Sequence, residues 1–582
     1  MKQQGFGGVE VAFIYPVNRD PDAQRIAWLS SEWSEKVTYC KEYCEQIGLG
    51  CDFTFGTLWP FGGTFVNDQD RTKIFGDPDF KQPLRLSWTH PDTGNVLNHL
   101  DRQAFERYAR TMGTALKPAL STASTSALFC DSWEVETRRI WTDGFDTEFE
   151  QRFGYDLKPY MENIYSDGNE GPRYDYMKLV SDYVITNFYQ PYTEACHQLG
   201  AISRVQCAGS PTDLISAYSR VDVPETEAML YDPNFSKIVA SAAALGEKPI
   251  ISSETFTCLY GFPRVHFMEE QTADLKLVAD ALFANGVNQI LWHGMPYNPA
   301  GIDTIYFYAT VHVGRRGKLL KELPSFNHYL TRVSQIMQKG QAYSQIAVYL
   351  PLEDAWIAGE YPPELQMPWS WGEYELRYPQ LPAEVKGYHP LWINQEFLQK
   401  GEVHNQLLHC GDQIFGALYL DVNYLDHLSL QAILQLARQG LPIYLAKLPQ
   451  EPGMKKNSAY QKLLQELLAL PNVSRNQLHE ILYVPPMIKG EDIPDFWCRR
   501  EQSDYYLFFS HPNSQNVKYP ISYGQSFTEK SISRKIQINL NGFNREYELV
   551  FEPYQSILLK YDEKGQIIPV DIKFIPEVPR KE

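Results

Sequence analysis

The sequence lacks the features that mark membrane-spanning and exported proteins. No apolar run reaches about 18 residues, the length that a membrane-spanning helix needs. The opening residues, Met1–Glu10, contain neither the apolar stretch nor the cleavage site of a signal peptide. They read instead as the end of a helix that runs into a strand, which predicts further residues upstream. We therefore expect no membrane span and leave two locations open: the cytoplasm as written, or export if an upstream segment carries a signal.

Basic residues are scarce relative to acidic ones. The 582 residues include 53 Lys and Arg against 71 Asp and Glu, which gives a formal net charge of −18. A nucleic-acid partner requires a basic surface that neutralises phosphates, so this charge argues against nucleic acid. The acidity is compatible with a neutral or cationic ligand, or with a bound divalent metal.

Cysteine motifs and several common catalytic motifs are absent. The nine cysteines form no CxxC pair and no zinc-finger spacing, which favours buried reduced thiols over disulfides. Cys40 and Cys44 are spaced to share a helix face, which is only weak evidence for a metal. The chain has no GxSxG elbow, no Walker loop, no GxGxxG after a strand and no HExxH helix. Serine-hydrolase, nucleotide-binding and zinc-protease chemistry are therefore disfavoured.

Aromatic residues, by contrast, are abundant. They make up 14% of the chain, with 12 Trp and 37 Tyr. Flat aromatic faces suit the C–H faces of sugar rings, although many large enzymes share this composition. A carbohydrate is the ligand class that the composition favours.

Short apolar runs alternate with helix-patterned segments over about the first 330 residues. Seven candidate strands lie at Val9–Tyr15, Cys51–Gly56, Ala127–Asp131, Ser203–Cys207, Asp222–Pro224, Pro249–Ser253 and Gln289–His293. Such repeats predict an α/β fold with a parallel sheet, and we favour a (β/α)8 TIM-type barrel over a doubly wound open sheet. A complete barrel has eight strands, so we expect the first strand to be missing. An open barrel exposes strand edges, which predicts poor stability unless something fills the gap.

Two further domains are predicted after the barrel. Buried-strand and helix patterns past residue 340 predict a flavodoxin-like α/β domain. Strands separated by Gly, Asn and Pro near the end predict a C-terminal all-β domain, a β-sandwich. The predicted boundaries are 1–338 for the catalytic barrel, 339–490 for the flavodoxin-like domain and 491–582 for the β-sandwich.

Two glutamates are the principal catalytic candidates. Glu134 and Glu254 each end an apolar run, and barrel active sites lie at the C-terminal ends of the strands. Glycoside hydrolysis uses two carboxyl groups, one that donates a proton and one that attacks the anomeric carbon or activates water. Partial burial beside Trp133 suits Glu134 to the acid role, because burial raises a carboxyl pKa. A glutamate after a strand also commonly caps a helix or pairs with a cation, but two on one rim favour catalysis.

Other residues of the predicted rim are candidates for binding sugar or metal. Glu225 and Glu227 flank Thr226, and such a pair at a barrel mouth suits a hard divalent cation, whereas on a surface it is merely solvated. His293 suits a hydrogen bond to a sugar hydroxyl and, equally, a satisfied core position. The substrate-binding candidates on this rim are Trp59, Asp131, Trp133, Gln206 and His293.

These motifs together resemble glycoside hydrolase family 106, the α-L-rhamnosidases and their relatives. The matching stretches are Gly5–Glu10, Leu58–Gly63, Asp131–Glu134, Gln206–Leu214, Asp222–Glu227, Ser252–Phe256 and His293–Tyr297. The resemblance implies inverting hydrolysis of terminal α-L-rhamnosides and a calcium ion that helps hold the sugar hydroxyls. By position, Glu134 matches the general acid and Glu254 the base that activates water. Glu225 or Glu227 matches an acidic residue of the metal site.

Two rival functions stay open. A barrel followed by a flavodoxin-like and a β domain also occurs in retaining glycosidases of the β-galactosidase type. An inactive carbohydrate-binding relative is the other rival, because the missing first strand makes a disabled barrel credible. The segment Gln206–Gly209 departs from the family pattern near the sugar, which leaves the sugar specificity open, and the sequence does not indicate an oligomeric state.

Overall fold

A computed structural model gives the fold of most of the chain. It describes residues 1–13, 26–56, 60–82, 84, 94–261, 266, 268–295, 309–314, 317–360, 376–482 and 484–581. Trp59, one of the predicted sugar-binding residues, lies outside these ranges. None of the described helices is both long and apolar enough to cross a membrane.

Seven parallel strands form one continuous curled sheet. The strands are β1 (Gly8–Val11), β2 (Gly50–Thr54), β3 (Ala127–Cys130), β4 (Ile202–Gln206), β5 (Val223–Ala228), β6 (Ser252–Thr255) and β7 (Gln289–Trp292). Their order in space is their order in the sequence, with parallel pairing throughout. A doubly wound sheet would instead reverse its order at a switch point. The structure therefore confirms the predicted parallel α/β sheet as a half-barrel.

Helices lie between successive strands of this sheet and after its last strand. They are α1 (Ser31–Gln46), α2 (Arg102–Leu120), α3 (Phe145–Phe153), α4 (Lys158–Met161), α5 (Glu170–Val184), α6 (Gln190–Gln198), α7 (Leu214–Ser219), α8 (Ser236–Leu245), α9 (Thr272–Phe283) and α10 (Leu323–Met337). Several begin where a side chain satisfies the free backbone N–H groups. Ser30 caps α1, Asp101 caps α2 and Asp213 caps α7. Helices are thus present in the helix-patterned segments between the candidate strands.

The sheet has two edges, β1 and β7, and no strand pairing joins them within the described ranges. Phe6, just before β1, packs edge-on against Trp292 of β7, with ring centroids 5.8 Å apart. The Nδ2 of Asn327 in α10 donates to the carbonyl of Gln4 at 2.9 Å. A cavity of about 1270 Å³ extends between the edges and is lined by residues of β1, β7 and α10. The first strand of the predicted barrel would lie at this opening. That a complete barrel would have this additional strand stays a prediction.

A second parallel sheet follows the barrel region. Its strands are β8 (Ile346–Tyr349), β9 (Leu391–Ile393), β10 (Ala417–Leu420), β11 (Ile443–Leu445) and β12 (Val473–Ser474). The spatial order is β9-β8-β10-β11-β12, an order that doubly wound folds use. The accompanying helices are α11 (Leu352–Ala358), α12 (Gln395–Lys400), α13 (His427–Arg438) and α14 (Tyr460–Leu468). The finer assignment to a flavodoxin-like domain stays a prediction.

The last part of the chain is rich in antiparallel strands, as expected. They are β13 (Phe496–Glu501), β14 (Asp504–Phe509), β15 (Ile532–Leu540), β16 (Phe543–Phe551), β17 (Ile557–Tyr561) and β18 (Ile567–Val570). One sheet contains β13, β14, β17 and β18, and another pairs β15 with β16. Leu507, Ile538 and Leu549 are fully buried in a hydrophobic core that both sheets share. The domain boundaries at 338 and 490 stay predictions.

Candidate active site

The carboxyl ends of several barrel strands bring acidic side chains to one cavity. Asp131 and Glu134 follow β3, and both line the cavity together with Glu227 of β5 and Glu254 of β6. We call these four residues the acidic cluster. Glu227 and Glu254 are register partners on neighbouring parallel strands, so their side chains point to the same face of the sheet. Both lie within strands, whereas the sequence pattern places them just after strand ends.

Three polar side chains hold the carboxylate of Glu254. Its Oε1 accepts a hydrogen bond from Thr257 Oγ1 at 2.8 Å and lies 3.0 Å from His293 Nδ1. Its Oε2 accepts from Gln206 Nε2 at 2.9 Å. Burial favours the neutral form of Glu254, but His293, Thr257 and Gln206 outweigh burial and lower the pKa to about 2. Glu254 is therefore a carboxylate at neutral pH, the form that a base or a nucleophile requires.

The carboxyl groups that neighbour Glu254 have raised rather than lowered pKa values. Burial, followed by the charges of Glu254 and Glu134, raises the pKa of Asp131 well above its ordinary value. Burial, followed by Glu254, Asp131 and Glu134, does the same to the pKa of Glu227, and Arg377 only partly opposes the rise. Like charges in one buried site cannot all ionise. Asp131 and Glu227 consequently bind protons more tightly than ordinary carboxyl groups, while Glu254 stays ionised.

The backbone that carries Glu134 is fixed by a buried glutamine. Gln82 Nε2 donates to the carbonyl of Glu134 at 2.7 Å, and Gln82 Oε1 accepts from the N–H of Glu136 at 2.9 Å. Gln82 itself is 2% exposed, so both hydrogen bonds are shielded from water. The N–H of Trp133 donates to the carbonyl of Ala208 at 2.9 Å, which connects the same loop to the segment that follows β4. These contacts orient Glu134 on a rigid segment.

A second group of carboxylates in the barrel is compensated by a cation. Arg204, in the middle of β4, is 2% exposed and forms ion pairs with Glu225, Asp52 and Glu10. We call these four residues the arginine cluster. Arg204 Nε lies 2.8 Å from Glu225 Oε2, which also accepts from Ser252 Oγ at 2.6 Å. Burial raises the pKa of Glu225, although Arg204, Ser252 and Gln206 oppose this rise.

The predicted sugar-binding residues are distributed over different environments. Asp131 and His293 line the cavity. Trp133 is 8% exposed, donates its indole N–H to the carbonyl of Val135 at 3.1 Å and packs with its ring 4.6 Å from that of His99. Gln206 is fully buried and bridges Glu225 and Glu254 through Nε2. Trp133 and Gln206 thus lie behind the cavity wall, and their contact with sugar stays a prediction.

Sequence reasoning missed three residues that shape the site. Arg204 lies at the centre of a largely buried strand, and an arginine at such a position is a readable signal for an internal ion pair. Thr257 lies three residues after Glu254, close enough to be suspected. Arg377 has no such signal, because it follows the barrel by many residues. Its guanidinium lies 4.1 Å from the ring centroid of Tyr231, and Nη1 donates to the carbonyl of Leu230 at 2.9 Å.

The acidic cluster has the chemistry of a calcium site without the compact geometry of one. Carboxylate oxygens are the ligands that calcium prefers, and the cluster carries excess negative charge. Within the described ranges, however, the one group of three or more acidic, histidine or cysteine ligands with all donor atoms inside 4.8 Å is Cys40, Cys44 and Cys51. Calcium at the acidic cluster therefore stays a proposal.

Comparison with known structures shows the fold that surrounds this site. A rhamnosidase from Novosphingobium sp. PP1Y superposes with a TM-score of 0.60 and 16% identity, over 84% of this chain and 49% of that one. A β-galactosidase from Bacillus circulans sp. alkalophilus superposes with a TM-score of 0.56 and 10% identity, over 96% of this chain and 95% of that one. At such identities the likeness concerns the fold alone.

Comparison of sequences gives a family. A protein of Formosa agariphila, named as a candidate β-glucuronidase, is 26% identical over 230 residues, 38% of this chain and 19% of that protein. This chain therefore spans about half the length of the rhamnosidase and about a fifth of the Formosa protein. The glycoside hydrolase family 106 model, described as alpha-L-rhamnosidase, matches residues 89–519. Because that match extends over well more than half of the sequence, the chain belongs to glycoside hydrolase family 106.

Proposed function

We propose that this chain hydrolyses terminal α-L-rhamnosides with inversion at the anomeric carbon, using Glu134 as the general acid and Glu254 as the general base. The observation that supports this most directly is the contrast within the acidic cluster. Glu254 is held as a carboxylate, while the charges around it favour protonated neighbours. Glu134 lines the same cavity as Glu254, so the proposed acid and base face one binding space, as glycoside hydrolysis needs.

The proposed reaction is a single displacement. Glu134 gives its proton to the glycosidic oxygen as the bond from that oxygen to the anomeric carbon breaks. Glu254 accepts a proton from a water molecule, whose oxygen forms the new bond on the opposite face of the sugar ring. The products are the free alcohol and the sugar with inverted configuration. Proton exchange with solvent then returns Glu134 to the acid and Glu254 to the carboxylate.

The residues around Glu254 act on it as positioning groups. Thr257, His293 and Gln206 fix both carboxylate oxygens and stabilise the charged form. Asp131 and Glu227 line the same cavity, where the charge of Glu254 favours the positive charge that develops at the anomeric carbon. Their polar oxygens also suit hydrogen bonds to sugar hydroxyls.

We propose Glu227, rather than Glu225, as the acidic residue that serves a calcium ion. Glu225 is committed to Arg204 and Ser252, whereas Glu227 lies among uncompensated carboxyl groups. Bound calcium would supply positive charge and coordinate sugar hydroxyls. We expect calcium to raise the Tm of the EDTA-treated chain and to leave the Tm of Glu227→Gln unchanged. An equal rise of the Tm in both proteins would show that Glu227 does not serve the calcium ion.

The activity is tested with a panel of aryl glycosides that includes the α-L-rhamnoside, with calcium and then with EDTA. The chain is compared with Glu134→Gln and Glu254→Gln. Glu247→Gln is the matched control, because Glu247 is exposed and lies next to the turn after α8, away from the cavity. We expect the unsubstituted chain and Glu247→Gln to hydrolyse the rhamnoside, and we expect no turnover by the other two variants. Rhamnoside turnover retained by Glu134→Gln and Glu254→Gln would contradict the assignment.

A retaining glycosidase of the β-galactosidase type is the second candidate. It is favoured by the fold likeness to β-galactosidase, which extends over nearly the whole of both chains. In that mechanism Glu254 would attack the anomeric carbon itself, which equally requires a carboxylate. NMR of the first-formed sugar anomer separates the two, since retention contradicts inversion. Sugar binding by calorimetry without turnover of any glycoside would indicate the inactive carbohydrate-binding relative instead.

A further inference from the structure

Three cysteine side chains lie close together in the barrel region, and none of them belongs to the acidic cluster. Cys40 and Cys44 lie one turn apart on α1, and Cys51 lies on β2. Their three sulfur atoms all lie within 4.8 Å of one another. Cys44 and Cys51 are buried, whereas Cys40 is half-buried and lines the cavity between the sheet edges. We call these residues the cysteine cluster.

The separation of the three sulfurs suits a tetrahedral metal ion. A zinc–sulfur bond is about 2.3 Å long, which places two sulfur ligands roughly 3.8 Å apart. The sulfurs of the cysteine cluster need to approach by only about 1 Å to reach this separation, a movement within the range of side-chain rotation. A disulfide would use two of the three sulfurs. The other six cysteines belong to no such group in the part of the chain that the structure describes.

The charge around the cysteine cluster also suits a bound divalent cation. Lys41 lies between the two helical cysteines in sequence and is fully buried. Its Nζ donates to the carbonyl of Cys51 at 3.3 Å and lies 3.9 Å from the carboxylate of Glu45. Three thiolates and one divalent cation carry a net charge of −1, which an ammonium group nearby neutralises. The half-exposed Cys40 leaves access from the cavity for a water molecule as the fourth ligand.

We propose that Cys40, Cys44 and Cys51 bind one thiophilic divalent cation, Zn²⁺, at a structural site that joins α1 to β2. Binding forms three sulfur–metal bonds and releases the three thiol protons to solvent. The metal connects α1 to β2, which lies next to the edge strand β1. This connection stabilises the open edge of the sheet. This site is independent of the proposed hydrolysis, because none of its ligands belongs to the acidic cluster.

The test uses Co²⁺ as a spectroscopic probe on the full chain, stripped of metal and reduced with a phosphine. Thiolate ligands give cobalt an intense charge-transfer absorption that carboxylates do not give. We expect one equivalent of Co²⁺ to produce this absorption with the visible bands of tetrahedral geometry, and Zn²⁺ to abolish it. We also expect Zn²⁺ to raise the Tm, because it binds the folded chain.

Variants locate the site. Cys40→Ser affects the one half-exposed ligand, so its fold is expected to persist, and its Zn²⁺ affinity should fall by at least on the order of 100-fold. Cys410→Ser is the matched control, because Cys410 is a buried free cysteine at the end of the strand Leu407–Cys410, which belongs to a small antiparallel sheet outside the barrel. Glu227→Gln should retain the full thiolate absorption. Absence of the absorption from a chain with nine titratable thiols, or its persistence in Cys40→Ser, would overturn the proposal.

Discussion

The barrel contains two groups of buried carboxylates, and they differ in how far basic side chains compensate their charge. In the arginine cluster, Arg204 contacts Glu225, Asp52 and Glu10 directly. In the acidic cluster, carboxyl groups face one another, and burial and mutual repulsion raise the pKa of Asp131 and Glu227. Both groups line the same cavity. The first arrangement pairs its carboxylates with a guanidinium, whereas the second opposes ionisation of Asp131 and Glu227 while Glu254 stays charged.

The boundary between the two groups passes between neighbouring positions of one strand. Glu225 and Glu227 are two residues apart on β5 and point to the same face. Gln206 joins the groups, since its Nε2 contacts both Glu225 and Glu254. A shift of two residues along one strand therefore separates a carboxylate with a structural role from one with a proposed role in the site.

Removing the proposed base should have the largest effect. Glu254→Gln eliminates the ionised member of the acidic cluster, and we expect the rhamnosidase kcat to fall by about 10²- to 10⁴-fold. Stability should decrease as well, because the lowered pKa of Glu254 means that His293, Thr257 and Gln206 stabilise its charged form in the folded chain. Steady-state kinetics and thermal unfolding of the same preparation measure both quantities. A stable variant with unchanged kcat would show that Glu254 is not the base.

Removing the cation of the arginine cluster should have the next largest effect. Arg204→Met leaves Glu225, Asp52 and Glu10 without their shared partner, and we expect the free energy of unfolding to decrease by about 3–5 kcal/mol. Urea unfolding measures the change. Arg110→Met, at an exposed position of α2, is the control and should change little. Equal stability of the two variants would mean that the arginine cluster does not stabilise the fold.

Substitution of Glu227 in the acidic cluster should have the opposite effect on stability. Glu227→Gln removes a carboxyl group whose pKa is raised by burial and by three other acids, so we expect the free energy of unfolding to increase by about 1 kcal/mol at neutral pH in EDTA. The comparison with Arg204→Met is direct, because both substitutions remove one buried ionisable group from the same barrel. A loss of stability would place Glu227 in a compensated environment.

The same variant predicts the pH dependence. A folded-state pKa above the ordinary value of 4.5 means that the folded chain binds the proton more tightly than the unfolded chain. The stability that this proton contributes is present below pH 4.5 and is lost as the pH rises through the folded-state pKa. Wild-type stability should therefore decrease over this range more steeply than that of Glu227→Gln. Urea unfolding at several pH values in EDTA checks the slope, and parallel curves would contradict the raised pKa.

Loss of one hydrogen bond to the base should have a smaller effect on catalysis than loss of the base itself. Thr257→Val keeps the shape of the side chain and removes the donor to Glu254 Oε1. We expect kcat to fall by about tenfold, equivalent to about 1.4 kcal/mol. The acidic limb of the pH–rate profile should move to higher pH, because the charged form of Glu254 loses a stabilising contact. A lower kcat with an unmoved limb would assign Thr257 a packing role alone.

Much of the architecture follows from patterns that are local in the sequence. Each of the seven strands lies in or next to a segment that the sequence pattern marks as a candidate strand, because runs of buried residues between helix-patterned segments are a local signal. The rule that barrel sites lie at strand ends was enough to bring Glu134, Glu254 and His293 to one cavity. The predicted helices also follow, since side-chain caps and periodicity are local signals.

The environment of each carboxylate depends instead on residues far away in the chain. Nothing in the segment from Asp222 to Glu227 distinguishes the two glutamates, and only the fold brings Arg204 to Glu225 and the charges of the acidic cluster to Glu227. The burial of Trp133 and the approach of Arg377 are likewise tertiary outcomes. The amino-acid sequence therefore determined which elements form and which rim carries the acids. The tertiary structure decided which acids are compensated, because Coulomb interactions and desolvation depend on distance in space and not on distance along the chain.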